Sequence, residues 1–212
     1  MSRAYADLAF TPAVRALQTQ AGSRTHYARL DHLEDRGDSL TDDEVAFITA
    51  RDGFYQATVS ETGWPYVQYR GGAKGFLEVI DDKTLGYADV RGNRQYISAG
   101  NLTNDDRVAL FLMDYATQRR LKIMGRALLL PAEEGRDLLS LHDLRNKASR
   151  VERVVMIRVE AFDWNCPQHI TPRFTLAEVA ELVAPLQEEV QRLRQALSLH
   201  QATAAPSPGA RL

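Results

Sequence analysis

Apolar positions along this chain follow two rhythms, and the change between them marks out its parts. Near the N-terminus the spacing is helical. Thr11-Pro12 is a helix start, because proline at the first helical position loses no needed hydrogen bond. Val14 and Leu17 give that helix a short apolar face, and Gly22-Ser23 ends it. Residues 23–39 are rich in charge with little periodicity, and predict an irregular run over the body of the protein. Thr41-Asp42-Asp43-Glu44 then forms a capping box, with Leu40 and Val45 as its hydrophobic staple. Val45, Phe47 and Ile48 supply the buried face of a helix that stops near Asp52-Gly53.

From there the period becomes two. Tyr55, Ala57 and Val59 share one face of a half-buried strand. After the turn Glu61-Thr62-Gly63, Tyr66-Val67-Gln68-Tyr69 is the returning strand. Residues 76–80 and 85–88 make a second hairpin around Asp81-Asp82-Lys83-Thr84. Strands follow at 108–113, 121–130 and 154–159, with a helix expected over 133–141. The links are short and few helices intervene, so the pattern predicts a mainly β fold. It is a closed or half-closed antiparallel barrel of about six strands with flanking helices, not a doubly wound sheet.

The helical rhythm returns after Phe174. Thr175-Leu176-Ala177-Glu178 is another capping box. Leu176, Val179, Val183, Leu186, Val190, Leu193 and Leu197 recur at alternating spacings of three and four, a heptad seam. Such a stripe requires another helix or lies on its own domain. Pro185 within it predicts a kink or a break into two helices. The boundaries expected are therefore a helical arm at 1–44, a barrel domain at 45–173, a helix at 174–200 and a disordered Ala/Pro/Ser/Gly tail at 201–212.

Composition narrows the function classes. A formal net charge of −2 gives no global basic field for nucleic acid. No window approaches the roughly 20 apolar residues of a membrane span. The first residues lack the apolar run of a secretory signal. Cys166 is the only cysteine, so no internal disulfide forms and a reduced cytoplasm is expected. His26, His32, His142, His169 and His200 show no metal-ligand spacing, and no metal site is expected.

Candidate chemistry concentrates in Gly86-Tyr87-Ala88-Asp89-Val90-Arg91-Gly92-Asn93-Arg94-Gln95-Tyr96-Ile97, with its lead-in Arg70-Gly71-Gly72-Ala73-Lys74-Gly75. The first half reads as a strand end. A basic, glycine-containing turn then enters a helix near Asn93 or Arg94. Such a bend aims free backbone N–H groups and the positive end of a helix dipole at one point, within reach of Arg91, Arg94 and Lys74. A phosphate suits that corner; a solvated basic turn is the other reading of the same residues. Gly71-Gly72-Ala73-Lys74-Gly75 lacks Walker spacing and is no P-loop. No Gly-x-Ser-x-Gly elbow supports a serine triad. Cys166 beside Pro167 is either a nucleophile near His169 or a packing residue. Residues 164–173 gather Asn165, Gln168, His169 and Thr171 between two prolines. This is a stiff polar loop suited to the edge of a ring-shaped ligand, or to bridging the barrel and the last helix.

In order, the motifs are Ala57-Thr58-Val59, Gly63-Trp64-Pro65-Tyr66-Val67-Gln68, Lys74, Ala88-Asp89-Val90-Arg91-Gly92-Asn93-Arg94-Gln95, the strand from Arg107, and the basic turn Arg119-Arg120. Over roughly 45–173 this succession resembles the pyridoxamine 5'-phosphate oxidase-like flavoproteins with an FMN-binding split β-barrel. It is most similar to the longer branch with an N-terminal helical arm and a Cys-Pro-Gln-His-Ile-Thr-Pro-Arg segment. The resemblance implies FMN at the interface of a homodimer, with hydride or electron transfer through flavin N5. It implies that Lys74 or Arg70 reaches the phosphate with Arg91 and Arg94, and that Asn93-Arg94-Gln95 replaces the family's Ser-Arg-Lys. Gln68, Ala88, Asp89 and Gln95 then contact the rest of the cofactor. Arg120 stands near flavin N1 and O2, and Gln168 and His169 approach the ring. The chain lacks the late Arg-x-His and Arg-Leu-Asn-Pro that hold pyridoxal, so the implication extends to the cofactor and not to vitamin B6 as substrate. An NAD(P)H or other small-molecule donor is implied as partner. A non-catalytic FMN carrier, sensor or scaffold is the alternative, and haem or F420 binding on the same barrel a third.

Overall fold

The computed structural model describes residues 1–135, 151–164 and 168–204. Asn165, Cys166, Pro167, His142, residues 136–141 of the expected helix and residues 205–212 of the expected tail lie outside them. Met1–Ile170 form one compact unit and Thr171–Leu212 a second.

Among the described residues the first unit is built on one antiparallel sheet of seven strands, not six. These are β1 (Gly53–Val59), β2 (Pro65–Gly71), β3 (Glu78–Asp81), β4 (Thr84–Val90), β5 (Arg107–Asp114), β6 (Arg119–Pro131) and β7 (Val151–Trp164), in the order β2-β1-β5-β6-β7-β4-β3. β3, the first arm of the second expected hairpin, is a four-residue edge piece, and counting it as a full strand brings the number to seven. β7 is 14 residues long and pairs with both β4 and β6, which makes it the spine of the sheet.

The two edges, β2 and β3, share no backbone ladder. Side chains close the gap instead. Phe54 on β1 packs edge-to-face on Tyr87 of β4 with ring centroids 5.5 Å apart. The Tyr87 hydroxyl donates to Gln56 Oε1 at 2.6 Å, and Arg70 on β2 pairs with Asp89 on β4 at 2.8 Å. A sheet whose second and sixth strands touch in this way is a split barrel. Curvature comes partly from a bulge between β6 and β7. Met124 faces Ala161 and Gly125 faces Val159, so Glu160 is the extra residue. A Cβ on Gly125 would stand 2.4 Å from the Arg158 carbonyl oxygen, so only glycine permits that approach. The interior is filled by Phe54, Leu77, Leu85, Tyr87, Leu110, Leu112, Leu121, Ile123 and Ile157.

β1 buries the face opposite to the expected one, and its partner β2 follows the same register. On β1 the buried residues are Phe54, Gln56 and Thr58, while Tyr55 is exposed. On β2, Tyr66, Gln68 and Arg70 are the less exposed set, and Val67 and Tyr69 point outward. A one-residue change of face moves a whole set of side chains. Here the polar set goes inside because each member finds a partner there. Gln56 accepts from Tyr87, Thr58 Oγ1 accepts from Asn101 Nδ2 at 2.9 Å, and Gln68 Oε1 accepts from Ser98 Oγ at 2.9 Å. Burial pushes the Tyr87 phenol well above its ordinary range, so it stays a hydrogen-bond donor.

The arm is more ordered than its composition suggests. α1 (Arg3–Ala9) is capped by Ser2, whose Oγ accepts from the Tyr5 N–H. Ala4, Tyr5 and Ala6 are buried, with Ala4 and Tyr5 packed beside Ala161 of β7. Small alanines carry this packing, and they leave no hydrophobic stripe to read. α2 (Pro12–Gln20) has the expected Thr11 cap and Pro12 at its first position, yet Leu17 is exposed. α3 (Arg24–Ala28) and a 3-10 turn at Arg29–His32 occupy the charged stretch.

α4 (Asp42–Thr49) carries the expected capping box and docks it on the barrel. Glu44 accepts from the Thr41 N–H at 2.9 Å and the Thr41 hydroxyl at 2.6 Å. Its other oxygen accepts from Trp164 Nε1 on β7 at 2.6 Å. α5 is Ile97–Asn104 and α6 is Ala132–Gly135. The second unit contains α7 (Leu176–Ala204), a single helix that continues through Pro185 and past residue 200, so the expected break does not occur. Its Thr175–Glu178 capping box is formed. No described helix is long and apolar enough to cross a membrane.

Burial alone would raise the Glu44 pKa, but the bonds from Thr41 and Trp164 outweigh it and hold the carboxyl below its ordinary 4.5. A depressed carboxyl contributes stability that is complete above the unfolded-state value and is lost as pH falls through the folded one. Glu44→Ala should therefore lower unfolding stability by roughly 2–4 kcal/mol, since it removes a helix cap and orphans the Trp164 donor. In denaturant titrations, Glu44→Gln should start less stable at pH 7 but lose less than the parent below pH 4.5. Parallel acid limbs for the two proteins would contradict this.

Candidate functional site

The strand-to-helix bend after β4 lines a cavity of about 250 Å³. β4 ends at Val90, and the chain reaches α5 only at Ile97, three or more residues later than expected. The delay has a backbone cause. Arg94 (φ 62°) and Tyr96 (φ 54°) are both left-handed and cannot belong to a right-handed helix. Asn93 Oδ1 accepts from the Gln95 N–H at 3.1 Å and holds the turn between them. Left-handed non-glycine residues cost free energy, and two within three residues mark a bend fixed by its surroundings.

Ile97, Ser98 and Ala99, the first three residues of α5, line the cavity. The first intrahelical bond here is Gly100 N–H to the Tyr96 carbonyl at 2.7 Å, so the preceding N–H groups have no helical acceptor. With the positive end of the helix dipole, they favour an anion. Gln68 reaches in from β2. Its oxygen is engaged by Ser98, which leaves its NH₂ to donate.

Three guanidiniums, those of Arg70, Arg94 and Arg153, and two carboxylates, Asp89 and Glu152, complete the charged lining. Asp89 sits between two of the cations, with Arg70 Nη1 at 2.8 Å on one oxygen and Arg153 Nε at 3.7 Å on the other. Glu152 takes Arg153 Nη2 at 3.1 Å and the Tyr96 hydroxyl at 3.1 Å. Arg94 is the outermost cation. Its Nε donates to the Tyr96 hydroxyl at 3.3 Å, and that bond raises its pKa further. Arg70 lies near the Tyr87 ring at 5.7 Å, and its buried Nε–H has no hydrogen-bond partner among the described residues. The lining has three positive and two negative side chains plus free amides. It suits a bound anion with hydrogen-bonding hydroxyls.

Of the residues singled out in the sequence, Gln68, Arg70, Asp89, Asn93, Arg94 and Gln95 come together here. The others do not join them within the chain. Lys74 is exposed in the loop between β2 and β3, where the neighbouring Gly75 N–H donates to the Arg51 carbonyl. Ala88 is a β4 ladder residue opposite Val154, outside the lining. Arg91 is exposed beside the cavity, its Nε 3.9 Å from Glu152. Arg120 lines a separate cavity of about 340 Å³ with Arg29, Lys122, Asp163 and Trp164. Gln168 and His169 form an exposed turn, with His169 left-handed at φ 67°. Ser98, Glu152 and Arg153 are lining residues outside the motifs, and Tyr66 and Tyr96 are lining residues that stand within them but were not singled out. Arg153 enters through the β4–β7 register, where it stands opposite Asp89, a pairing 64 residues long in sequence that no local pattern announces.

Residues 40–165 match the family described as Pyridoxamine 5'-phosphate oxidase, more than half of the chain. No curated protein sequence matches. Among solved structures the chain is similar to HupZ of Group A Streptococcus, at 16% identity, with 64% of this chain and 100% of that chain covered and a TM-score of 0.47. It is similar to a pyridoxinephosphate oxidase family protein from Clostridium acetobutylicum related to general stress protein 26 (12%, 65% and 94%, TM-score 0.44). A FAD-binding protein from Mesorhizobium loti also aligns (17%, 59% and 94%, TM-score 0.43).

Asp89→Ala should leave Arg70 and Arg153 facing each other without their shared carboxylate, and should cost roughly 2–4 kcal/mol of stability. Arg70→Met combined with Asp89→Leu should cost less than the sum of the single changes, by roughly 1 kcal/mol or more in a denaturation cycle. Additive single changes would show that the pair does not couple β2 to β4.

Proposed function

The chain belongs to the pyridoxamine 5'-phosphate oxidase family, and from that premise we propose that it is an FMN-dependent oxidoreductase working as a homodimer. The observation that carries the cofactor assignment is the cavity at the start of α5, where free helix amides, Arg94 and Arg70 converge. Arg94, Arg91 at the rim and the amides of Ile97 to Ala99 hold the phosphate. Gln68, Asn93, Gln95 and Ser98 supply hydrogen bonds to a polyhydroxyl chain. FMN, when bound, supplies hydride or electron transfer through its ring. Asp89 serves by holding Arg70 in place, a positioning role. Glu152 does the same for Arg153 and, through Tyr96, for Arg94.

The homodimer is supported by the outward face of β1 and β2. Tyr55, Val67 and Tyr69 are exposed there, with Val67 at 59%, and Trp64 in the β1–β2 turn beside them is 75% exposed. This apolar band lies on the side of the sheet where alternation calls for polar residues, and a second copy covers it. In that assembly Arg120, Gln168 and His169 come to the site from the other copy, which accounts for their distance from Arg94's cavity within one chain. The lone cysteine fits a reducing cytoplasm.

The purified protein should be yellow, and heat denaturation should release a compound with the mass and absorbance of FMN. Anaerobic NADH or NADPH should bleach it and air should restore the colour. Arg94→Ala should weaken FMN by roughly ten- to hundredfold in a fluorescence-quenching titration, the scale of a lost charge-assisted hydrogen bond. Unchanged affinity in that variant, or an apoprotein that takes up no FMN, refutes the assignment.

A further inference from the structure

We infer that α7 pairs with α7 of a second copy as a parallel, in-register two-stranded coiled coil. This stands apart from the flavin reading, because it concerns the second unit alone. Taken by itself, α7 exposes a continuous apolar seam: Leu176 is 90% exposed, Leu186 66%, Leu193 56% and Leu197 58%. A 29-residue helix with this stripe requires a partner surface of the same length and curvature, and an identical helix has both.

The residues on and beside the seam select the partner's number and direction. Setting Leu176 as position a places Leu176, Val183, Val190 and Leu197 at a, and Val179, Leu186 and Leu193 at d. The central layers are thus valine at a and leucine at d, the combination that favours two parallel strands over three or four. Glu189 then falls at g and Arg194 at the following e. In a parallel pair the g side chain of one helix meets the e side chain five residues on in the other, so Glu189 faces Arg194 twice per dimer. In an antiparallel pair g meets g and e meets e, and this attraction is lost. Glu189 already accepts from Arg192 with both oxygens, from Nε at 2.8 Å and from Nη2 at 2.7 Å, and each carboxylate oxygen keeps a second lone pair that can accept from Arg194. Pro185 falls at c and Glu188 at f, facing away from the seam. Proline therefore interrupts the backbone ladder on the solvent side only, and leaves the a and d positions continuous.

The test uses the full chain with Cys166→Ser and one new cysteine at a time. Val179→Cys and Leu193→Cys, both at d and two heptads apart, should each form a disulfide-linked dimer on mild oxidation at micromolar concentration. Glu188→Cys, at f, should cross-link at least tenfold less. An antiparallel pair places at most one of the two d positions opposite itself, so cross-linking at only one overturns the parallel register. Cross-linking at neither, with circular dichroism showing the helix intact, means that the seam is covered by the chain's own first unit or by another protein, and overturns the proposal. Equal cross-linking at Glu188→Cys means random collision and does the same. Charge supplies an independent arm: Glu189→Arg should raise the dimer dissociation constant, and adding Arg194→Glu should restore it.

Discussion

One carboxylate holds the barrel's open side. Asp89 lies between Arg70 of β2 and Arg153 of β7, and these are strands that share no ladder. Because β2 and β3 never hydrogen-bond, the sheet cannot close by its backbone. Its edges are set by the Phe54–Tyr87 contact, the Tyr87–Gln56 bond and this charged triad. All three triad members are less than a fifth exposed, so desolvation opposes the attraction and the net stability is modest. What the triad fixes is geometry. With Asp89 in place, Arg70 points into the cavity instead of toward water, and the distance between β2 and the start of α5 is set.

The same closure explains why polar residues occupy the inside of β1 and β2. An apolar interior at Gln56, Thr58 and Gln68 would pack more simply but would leave Tyr87, Asn101 and Ser98 without partners. Each of those three belongs to an element that bounds the cavity or lies next to it, so the hydrogen bonds carry position from the sheet to α5. The consequence appears on the other face, where Tyr55, Val67 and Tyr69 are displaced outward. Site and exposed band are two results of one register choice.

That choice is also where the sequence was hardest to read. Capping boxes at Thr41–Glu44 and Thr175–Glu178, the Thr11-Pro12 start, the hairpins and the heptad seam depend on neighbours a few residues apart, and the local pattern specifies them. Which face of β1 is buried depends on Tyr87 and Asn101, 31 and 43 residues away, so alternation gave the period but not the side. α1 was hidden because alanine packs without producing a hydrophobic stripe. The anion corner was legible as a cluster of basic and glycine residues. Its helix start was misplaced because left-handed Arg94 and Tyr96 hold conformations that side-chain chemistry alone disfavours. Glu152 and Arg153 enter the site only through strand pairing.

Each unit carries an apolar surface that its own residues leave exposed, the β1–β2 band in the first and the α7 seam in the second. Association of two copies, as proposed for each, covers both. Once either contact forms, the other becomes intramolecular, at an effective concentration set by the short link from Thr171 to Thr175 and far above that of free chains. Neither surface then has to be large enough to hold a dimer alone. A band of four aromatic and aliphatic residues and a four-heptad helix are each marginal in isolation. Joined through one chain, the two proposed contacts would reinforce each other, and a cofactor site shared between copies, as proposed, would gain a permanent second half.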